Sequence, residues 1–348
     1  MTERSTGNVM SSDLKELDVS NWLRANHPKI ASLRTITKFP GGQSNPTYRL
    51  TTDDGDLVLR RKPFGALLPS AHAIDREYKV LSALSPVGFP VPRPITLCLD
   101  SAIIGTEFYL MEAVEGRTFW NGMLPELPRE ERRAIYEAAI TTLANLHSIT
   151  PEAVGLGEFG RPGNYFERQV GRWTRQYRAA QTDTIDAVER LIDWLPRTIP
   201  DQDRTSIVHG DFRLDNLIFA QRSSSVLAVI DWELSTIGDP LADFSYFAMN
   251  WTMSSDGPWI GDADFDSSGI PSLEDVVGNY CEKTKRSSLP DLDWYFAFNL
   301  FRLTSINQGV KKRMLNGNAS SDNAGDVAAR VEQLAETGWS RARRAGAR

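Results

Sequence analysis

The stretch from His209 to Glu233 holds three oxygen-bearing side chains, Asp211, Asn216 and Asp231, separated by apolar segments. Phosphoryl transfer from ATP needs such a set: one carboxylate aimed at an acceptor hydroxyl, and two further oxygen donors that hold magnesium against the phosphates. His209-Gly210-Asp211 opens the run and Asn216 stands five positions after Asp211. Leu217-Ile218-Phe219, a serine turn at Ser223 to Ser225 and the apolar Val226 to Ile230 then give the pattern of a short β-hairpin. A hairpin returns the chain, so Asn216 and Asp231 are expected to share one ion. A lone His-Gly-Asp could also be an ordinary turn closed by an aspartate side chain. The Asn, the hairpin pattern and the second Asp downstream argue against that here.

Elements on either side must position these groups. From Ile36 to Leu59, apolar segments are separated by Gly41-Gly42-Gln43-Ser44-Asn45 and Asp53-Asp54-Gly55, turn chemistry that divides about three antiparallel strands. Glycines in the first turn would let backbone N–H groups approach phosphates, which makes Gly41, Gly42, Gln43, Ser44 and Asn45 nucleotide-binding candidates; a plain hairpin turn uses the same residues. Strand alternation puts Val58 and Arg60 on one face, with Lys62 next along it. An arginine can clamp phosphate oxygens with two nitrogens, so Arg60 is the favoured contact and Lys62 the alternative. The segment Ala73 to Leu84 reads as a helix with Ile74, Val80, Leu81 and Leu84 on its apolar stripe, and Glu77 on it would by itself be a solvated charge. Phe108 to Met111 is an apolar strand that runs into Glu112-Ala113-Val114-Glu115-Gly116, a segment able to offer backbone groups to a ligand.

Beyond that point the periodicity is helical. Helices are predicted at Glu130 to Ser148, Tyr165 to Ala180, Thr184 to Leu195, Leu241 to Asn250, Leu273 to Lys285, Leu292 to Leu315 and Asp326 to Ala342. Asp239 before Pro240 reads as a helix N-cap, and Asp243 as structural. His147 at a helix end reads as a packing or dipole residue, and His209 as an organiser of its loop.

At 348 residues with 41% hydrophobic content, the chain can build one large domain or two lobes with real cores. Its formal charge of −6 disfavours nucleic acid as a partner; Arg341, Arg343, Arg344 and Arg348 are a local exception and read as a frayed basic end. No stretch is apolar enough to span a membrane and Met1 to Ser20 carries no apolar leader, so a cytoplasmic protein without membrane partners is expected. Cys98 and Cys281 lack metal-type spacing and read as buried apolar residues, and His27, His72, His147 and His209 form no ligand pair. Oligomeric state is not legible.

Taken together with Gly238-Asp239-Pro240-Leu241-Ala242-Asp243-Phe244, the His209 block resembles the aminoglycoside phosphotransferase and choline kinase-like family. It departs from protein kinases in Gly210-Asp211 for Arg-Asp, in Trp232-Glu233 for Phe-Gly, and in having no later Ala-Pro-Glu. The resemblance implies an α+β, bilobal protein-kinase-like fold, with a small antiparallel β N-lobe and a larger, mainly helical C-lobe. Its implied boundaries are an N-terminal extension at 1–28, the N-lobe at 29–112, a hinge at 113–116, the C-lobe with catalytic loop and acceptor site at 117–340, and a basic tail at 341–348. It implies ATP and Mg2+ as cofactors, Asp211 as the catalytic carboxylate, Asn216 and Asp231 as metal ligands, Glu77 paired with Arg60, and Met111, Glu112 and Val114 beside adenine.

A narrower resemblance runs through Leu59-Arg60-Arg61-Lys62-Pro63, Leu67-Leu68-Pro69-Ser70-Ala71-His72, Arg76-Glu77-Tyr78, Ile270-Pro271-Ser272 through Tyr280-Cys281, Asp293 to Leu303, Gln308-Gly309-Val310 and Gly317-Asn318-Ala319-Ser320-Ser321. It is to the phosphotransferase domain of certain acyl-CoA dehydrogenase fusion proteins and covers most of residues 36 to 321. A small-molecule hydroxyl acceptor follows, with a hydroxylated acyl thioester preferred over an antibiotic. Arg213, Asp215, Glu233 and Arg302 are the candidate substrate-facing residues. Arg302 has a second reading as the partner of a C-lobe carboxylate. The competing function, an aminoglycoside O-phosphotransferase, would use Asp256, Asp262, Asp264 and Asp266 as an acidic surface for a polycation, although a solvated acidic loop explains them more simply. A non-catalytic nucleotide-binding module is disfavoured because all three oxygen-bearing residues are present.

Overall fold

Alternating apolar residues from Leu33 onward build a five-stranded sheet in the computed structural model, which describes residues 13–30, 32–39, 45–64, 73–161, 163–253, 259–316 and 324–348. The strands are β1 (Leu33–Lys38), β2 (Thr47–Thr52), β3 (Gly55–Arg61), β4 (Pro94–Cys98) and β5 (Phe108–Glu112). They lie in the order β1-β2-β3-β5-β4 with every neighbouring pair antiparallel. Tyr48, Leu50, Leu59, Phe108 and Leu110 are buried together beneath this sheet. Helix α1 (Glu16–Asn26) adds Val19 and Leu23 to the same core, so residues read from the sequence as an extension are part of it. Asp13 ties that segment down by accepting from the Tyr48 hydroxyl and the Arg61 guanidinium. Helix α2 (Ile74–Leu84) buries Ile74, Val80, Leu81 and Leu84, the stripe its spacing predicted.

The chain divides into two compact units. One comprises the residues up to Glu115 together with Leu227–Glu233; the other comprises Gly116–Val226 and Leu234–Arg348. The sequence places 227–233 with the helical part, yet these residues pack with the sheet unit. There Val229 N–H donates to the Pro90 carbonyl (2.8 Å), and the Trp232 ring meets Phe89 edge-on.

The helical unit contains α3 (Arg129–Ser148), α4 (Tyr165–Ala180), α5 (Asp186–Trp194), α6 (Leu241–Ala248), α7 (Phe265–Ser268), α8 (Leu273–Thr284), α9 (Asp293–Leu315), α10 (Ala324–Ala329) and α11 (Val331–Arg344). Helix α9 is apolar nearly all round from Trp294 to Phe301 and packs against α4, α6, α10 and α11, the burial such a surface requires. Two of its buried amides are partly satisfied: Asn299 Nδ2 donates to Ser245 (2.8 Å) and Gln308 Nε2 to the Ala180 carbonyl (3.1 Å), while Asn299 Oδ1 and Gln308 Oε1 have no hydrogen-bond partner among the described residues. The single helix predicted over 326–342 is broken at Arg330 into α10 and α11. Arg341, Arg343 and Arg344, read as a frayed end, instead form the last turn of α11, where cations complement the helix dipole and Arg341 pairs with Asp293 at 3.0 Å.

Short strands frame the functional loop. In the helical unit, β6 (Ser206–Val208) pairs antiparallel with the later segment Thr236–Gly238. Between them in sequence lie the strands β7 (Leu217–Phe219) and β8 (Val226–Val229), so Thr236–Gly238 is β9. Asp239 then caps the start of α6 by accepting from Leu241 N–H at 2.8 Å, with Pro240 in the N-cap position itself. Asp239 is 1% exposed, and that burial pushes its carboxyl up to about 6, against the Leu241 N–H bond and the Arg286 charge, with Asp203 adding to the rise. Because the folded chain holds this proton more tightly than the unfolded one, the associated stability is complete below about pH 4 and is lost as pH rises through about 6. A shift of that size corresponds to roughly 2–3 kcal/mol. Asp239→Asn keeps the acceptor oxygen without the charge, so its Tm relative to the parent is expected to be several degrees more favourable at pH 8 than at pH 4.5. An equal difference at both pH values contradicts this.

Candidate active site

The loop after β6 is held by its backbone. Asp243, on α6 and 1% exposed, accepts the N–H of His209 (2.6 Å) on one oxygen and that of Gly210 (2.8 Å) on the other. His147 lies 3.4 Å from Asp243 through Nε2 and 2.7 Å from the Tyr280 hydroxyl through Nδ1, so the carboxylate that grips the loop is itself held. His209 accepts the Asp211 N–H through Nδ1 at 3.1 Å. Gly210 has φ of 86°, and a Cβ there would come within 2.6 Å of the Leu234 carbonyl oxygen. Only glycine fits both the left-handed backbone and the close approach.

Asp211 is thereby presented with defined partners. Asn216, at the end of the 3-10 turn Leu214–Asn216, donates through Nδ2 to the Asp211 carbonyl (2.8 Å) and to its Oδ2 (3.0 Å). Tyr246 hydrogen-bonds the same carboxylate, and Arg213 Nε stands 3.9 Å from it. Burial alone would raise the Asp211 carboxyl, but the Arg213 and Arg302 charges, the Tyr246 hydroxyl and His209 together hold it below the usual carboxylate range. Asp211 is therefore ionised at neutral pH, with its side chain 23% exposed.

Arg302 does not take the salt bridge offered as one of its readings. It is 6% exposed on α9, donates through Nη2 to the Gly210 carbonyl, and lies over the rings of Tyr246 (4.7 Å) and Trp173 (5.4 Å). Among the described residues no carboxylate comes within ion-pair distance of it, and its charge is felt by Asp211 and by Arg172, whose own pKa is lowered by desolvation and by Arg302. Arg213 pairs with Asp215, whose carboxyl is raised by burial in spite of that partner. Arg213, Asp215 and Tyr246 line a cavity of about 170 Å³ whose other walls include Trp120, Phe247 and Trp259.

The sheet unit holds the remaining candidates. Register places Arg60 between Thr47 and Tyr109 on neighbouring strands. Its Nε lies 2.7 Å from Glu77 Oε2, a charge contact without hydrogen-bond alignment, and its Nη2 lies 2.5 Å from Asp231 Oδ1 and 3.7 Å from Glu233. Glu77 is 1% exposed and also accepts from Asn45 (2.7 Å) and the Tyr109 hydroxyl (3.0 Å). Burial opposes both charges; the surrounding carboxylates nevertheless raise the Arg60 pKa, and we take the pair as ionised although burial pulls Glu77 upward. Lys62, the alternative cation, pairs instead with Glu107 at 2.5 Å. Asp231 has a φ of 66°, left-handed backbone for a residue other than glycine.

Gly41, Gly42, Gln43 and Ser44 lie outside the described residues; Asn45 is described and bonds Glu77. At the end of β5, Met111 is buried, Glu112 N–H donates to the Arg93 carbonyl (3.0 Å) and Ala113 N–H to the Asp56 carbonyl (3.3 Å). Val114 makes no backbone hydrogen bond among the described residues, which leaves a donor and an acceptor for a ligand. Gly116 is needed because a Cβ would meet the Phe219 carbonyl at 2.3 Å. In the helical unit, the polar turn after β7 closes with Ala220 N–H to the Ser225 carbonyl at 2.9 Å.

Sequence reasoning missed Tyr246. Its signal was its position three residues after Asp243 on a predicted helix, which puts both side chains on one face toward the loop.

Comparison with known proteins gives a consistent picture. A family model described as the phosphotransferase enzyme family matches residues 35–274. Mouse acyl-CoA dehydrogenase family member 10 is 47% identical over 316 residues, which is 90% of this chain but only 30% of the mouse protein. A crystal structure from Ralstonia eutropha, provisionally described as an aminoglycoside phosphotransferase, is 41% identical with a TM-score of 0.85, covering 95% of this chain and 99% of that one. A thermostable mutant of aminoglycoside phosphotransferase APH(4)-Ia, in ternary complex with ADP and hygromycin B, shares the kinase-like fold at 15% identity and a TM-score of 0.60, over 92% of this chain and 99% of that one.

Proposed function

The chain belongs to the phosphotransferase enzyme family, and from that premise we propose that it is an ATP- and magnesium-dependent small-molecule kinase whose acceptor is a hydroxyl on an acyl thioester or similar lipid-derived molecule. The observation that carries the reaction class is the Asp211 loop: a carboxylate held ionised and fixed by Asn216, Tyr246 and Arg213 on a backbone gripped by Asp243. Asp211 orients the acceptor hydroxyl and receives its proton as the phosphoryl group transfers. In a loose transition state that proton leaves late, so a carboxylate of low basicity suffices and orientation contributes most.

By donor type, each of the two proposed ligands suits magnesium. Asn216 spends its Nδ2 on Asp211, which leaves Oδ1 as a hard oxygen ligand; Asp231 gives Oδ1 to Arg60, which leaves Oδ2. One or two protein oxygens completed by phosphates and water are what this cation takes in nucleotide sites. When bound, magnesium supplies charge neutralisation on the transferring phosphates. Val114 would offer its backbone to adenine.

An apolar acceptor is favoured over a polycation by the surroundings of Asp211. Arg213 and Arg302 act on that carboxylate, and Arg172 is close enough to Arg302 to be affected by it, an arrangement that repels an aminoglycoside. The adjoining cavity is walled largely by aromatic side chains, suited to a hydrocarbon chain. In the acidic loop, Asp264 caps a short helix turn by accepting from Asp266 N–H and Ser267, a structural task that accounts for its presence there; Asp256 lies outside the described residues. The identity to mouse acyl-CoA dehydrogenase family member 10 supports the same acceptor class.

The test is ADP formation across hydroxyacyl-CoA thioesters, sugars, amino alcohols and aminoglycosides. Hydroxyacyl thioesters are expected to support turnover at least tenfold above the acceptor-free rate. Turnover confined to aminoglycosides overturns the acceptor, and no ADP with any hydroxyl overturns the reaction class.

A further inference from the structure

We infer that Arg172, Trp173 and Arg302 form an oxyanion site beside the Asp211 loop, which takes a phosphate or carboxylate carried by the acceptor. The inference deepens the phosphotransferase reading and rests on it, since it names the acceptor as an anion. Helix α4 packs against α9 here, and the guanidinium carbons of Arg172 and Arg302 stand 5.3 Å and 5.4 Å from the centre of the Trp173 ring. The three side chains supply donors and no acceptor. Arg302 spends Nη2 on the Gly210 carbonyl, while its Nε and Nη1 have no hydrogen-bond partner among the described residues. The indole N–H of Trp173, a residue 5% exposed, is likewise unpartnered. Arg172 is exposed on α4, and among the described residues it pairs with no carboxylate.

The carboxylates of the neighbouring loop are committed elsewhere. Asp211 is taken by Asn216 and Tyr246, and Asp243 by the two loop amides. Desolvation and the Arg302 charge both pull the Arg172 pKa down, as expected of cations held near one another. Buried donors normally find partners, and buried cations normally find a carboxylate. A water would satisfy a donor without cancelling the charges; an oxyanion does both, and guanidinium forks match its geometry. The site is tied to transfer through the loop. The Gly210 carbonyl that Arg302 holds belongs to the peptide bond leading into Asp211, and Tyr246, 4.7 Å from Arg302, hydrogen-bonds the Asp211 carboxylate. Tyr246 also lines the aromatic cavity. An acceptor that uses both features is amphipathic, with an apolar end in the cavity, an oxyanion at α4 and its hydroxyl at Asp211.

Binding separates this site from catalysis. Calorimetry, with and without saturating Mg-ADP, would compare two charged ligands with their neutral counterparts: phosphopantetheine with pantetheine, and hydroxyhexanoate with its methyl ester. The proteins are the full chain, Arg172→Gln and Arg175→Gln. Arg175 is exposed on the same helix outside the cluster, so it controls for a general loss of positive charge. The parent is expected to bind the charged member of one pair at least about tenfold more tightly than the neutral one, Arg172→Gln to cut that preference to within about twofold, and Arg175→Gln to keep it. A preference within the phosphopantetheine pair assigns the oxyanion to the phosphate of a thiol carrier; a preference within the hydroxyhexanoate pair assigns it to a free carboxylate. No preference in the parent, one that survives in Arg172→Gln, or one lost equally in Arg175→Gln overturns the inference. ADP formation tells the two readings apart. Turnover of a hydroxyacyl thioester without any charge preference sinks this site alone, whereas an intact preference with no ADP from any acceptor sinks the phosphotransferase reading.

Discussion

Asp211→Ala is expected to lower turnover by about 10²–10⁴-fold while Mg-ATP affinity stays within a few-fold of the parent. The carboxylate's ionised state is secured from several sides against burial, by Arg213, Arg302, Tyr246 and His209. That arrangement serves a group that must hold a hydroxyl and take its proton, not one that merely closes a turn; the turn itself is closed by Asp243. Removing the side chain leaves Gly210 and its backbone bonds intact, so the fold is expected to persist. Initial rates with any acceptor that supports ADP formation, paired with nucleotide titration, are the measurement. Parent-like turnover in the variant refutes the assignment, and lost nucleotide affinity moves Asp211 from chemistry to binding.

The second large effect is expected from Asp231→Ala. One of two proposed hard oxygen ligands disappears, and affinity for Mg-ATP should fall by roughly 10–100-fold, about 1.4–2.8 kcal/mol. Metal-free ADP should bind nearly as before. The magnesium concentration for half-maximal ADP formation should rise in parallel, and an unchanged magnesium dependence contradicts the role. The substitution also leaves Arg60 with Glu77, Glu233 and Thr47, enough to keep the guanidinium paired. A loss of fold is therefore not the expected cause.

Much of this was legible because spacing is a physical statement. A separation of five positions from Asp211 to Asn216 leaves room for one 3-10 turn, and that turn returns the Asn amide onto the Asp. The sheet and most helices follow from alternation and 3.6-residue periodicity, and the fold belongs to the kinase-like class that the resemblance implied. Other features depend on who meets whom in space. Alternation puts Arg60 and Lys62 on one face but does not say which meets a buried carboxylate; Lys62 lies just past β3 and finds Glu107. Arg302 looked like half of a salt bridge because buried arginines usually are, yet a carbonyl and two rings receive it. The helix over 326–342 shows no glycine or proline at its break, and its division at Arg330 is visible only in three dimensions.

The return of Leu227–Glu233 to the sheet unit has a consequence for how the molecule is made. Translation delivers β1 to β5 and α2 first, with Arg60 and Glu77 among them, while Asp231, more than a hundred residues further along, is still untranslated. At about 5–20 residues per second the nascent sheet waits for seconds before its last carboxylate leaves the ribosome. A gene fragment ending at Glu115 would encode a half-finished product, and cutting this protein for expression should respect that late-arriving stitch.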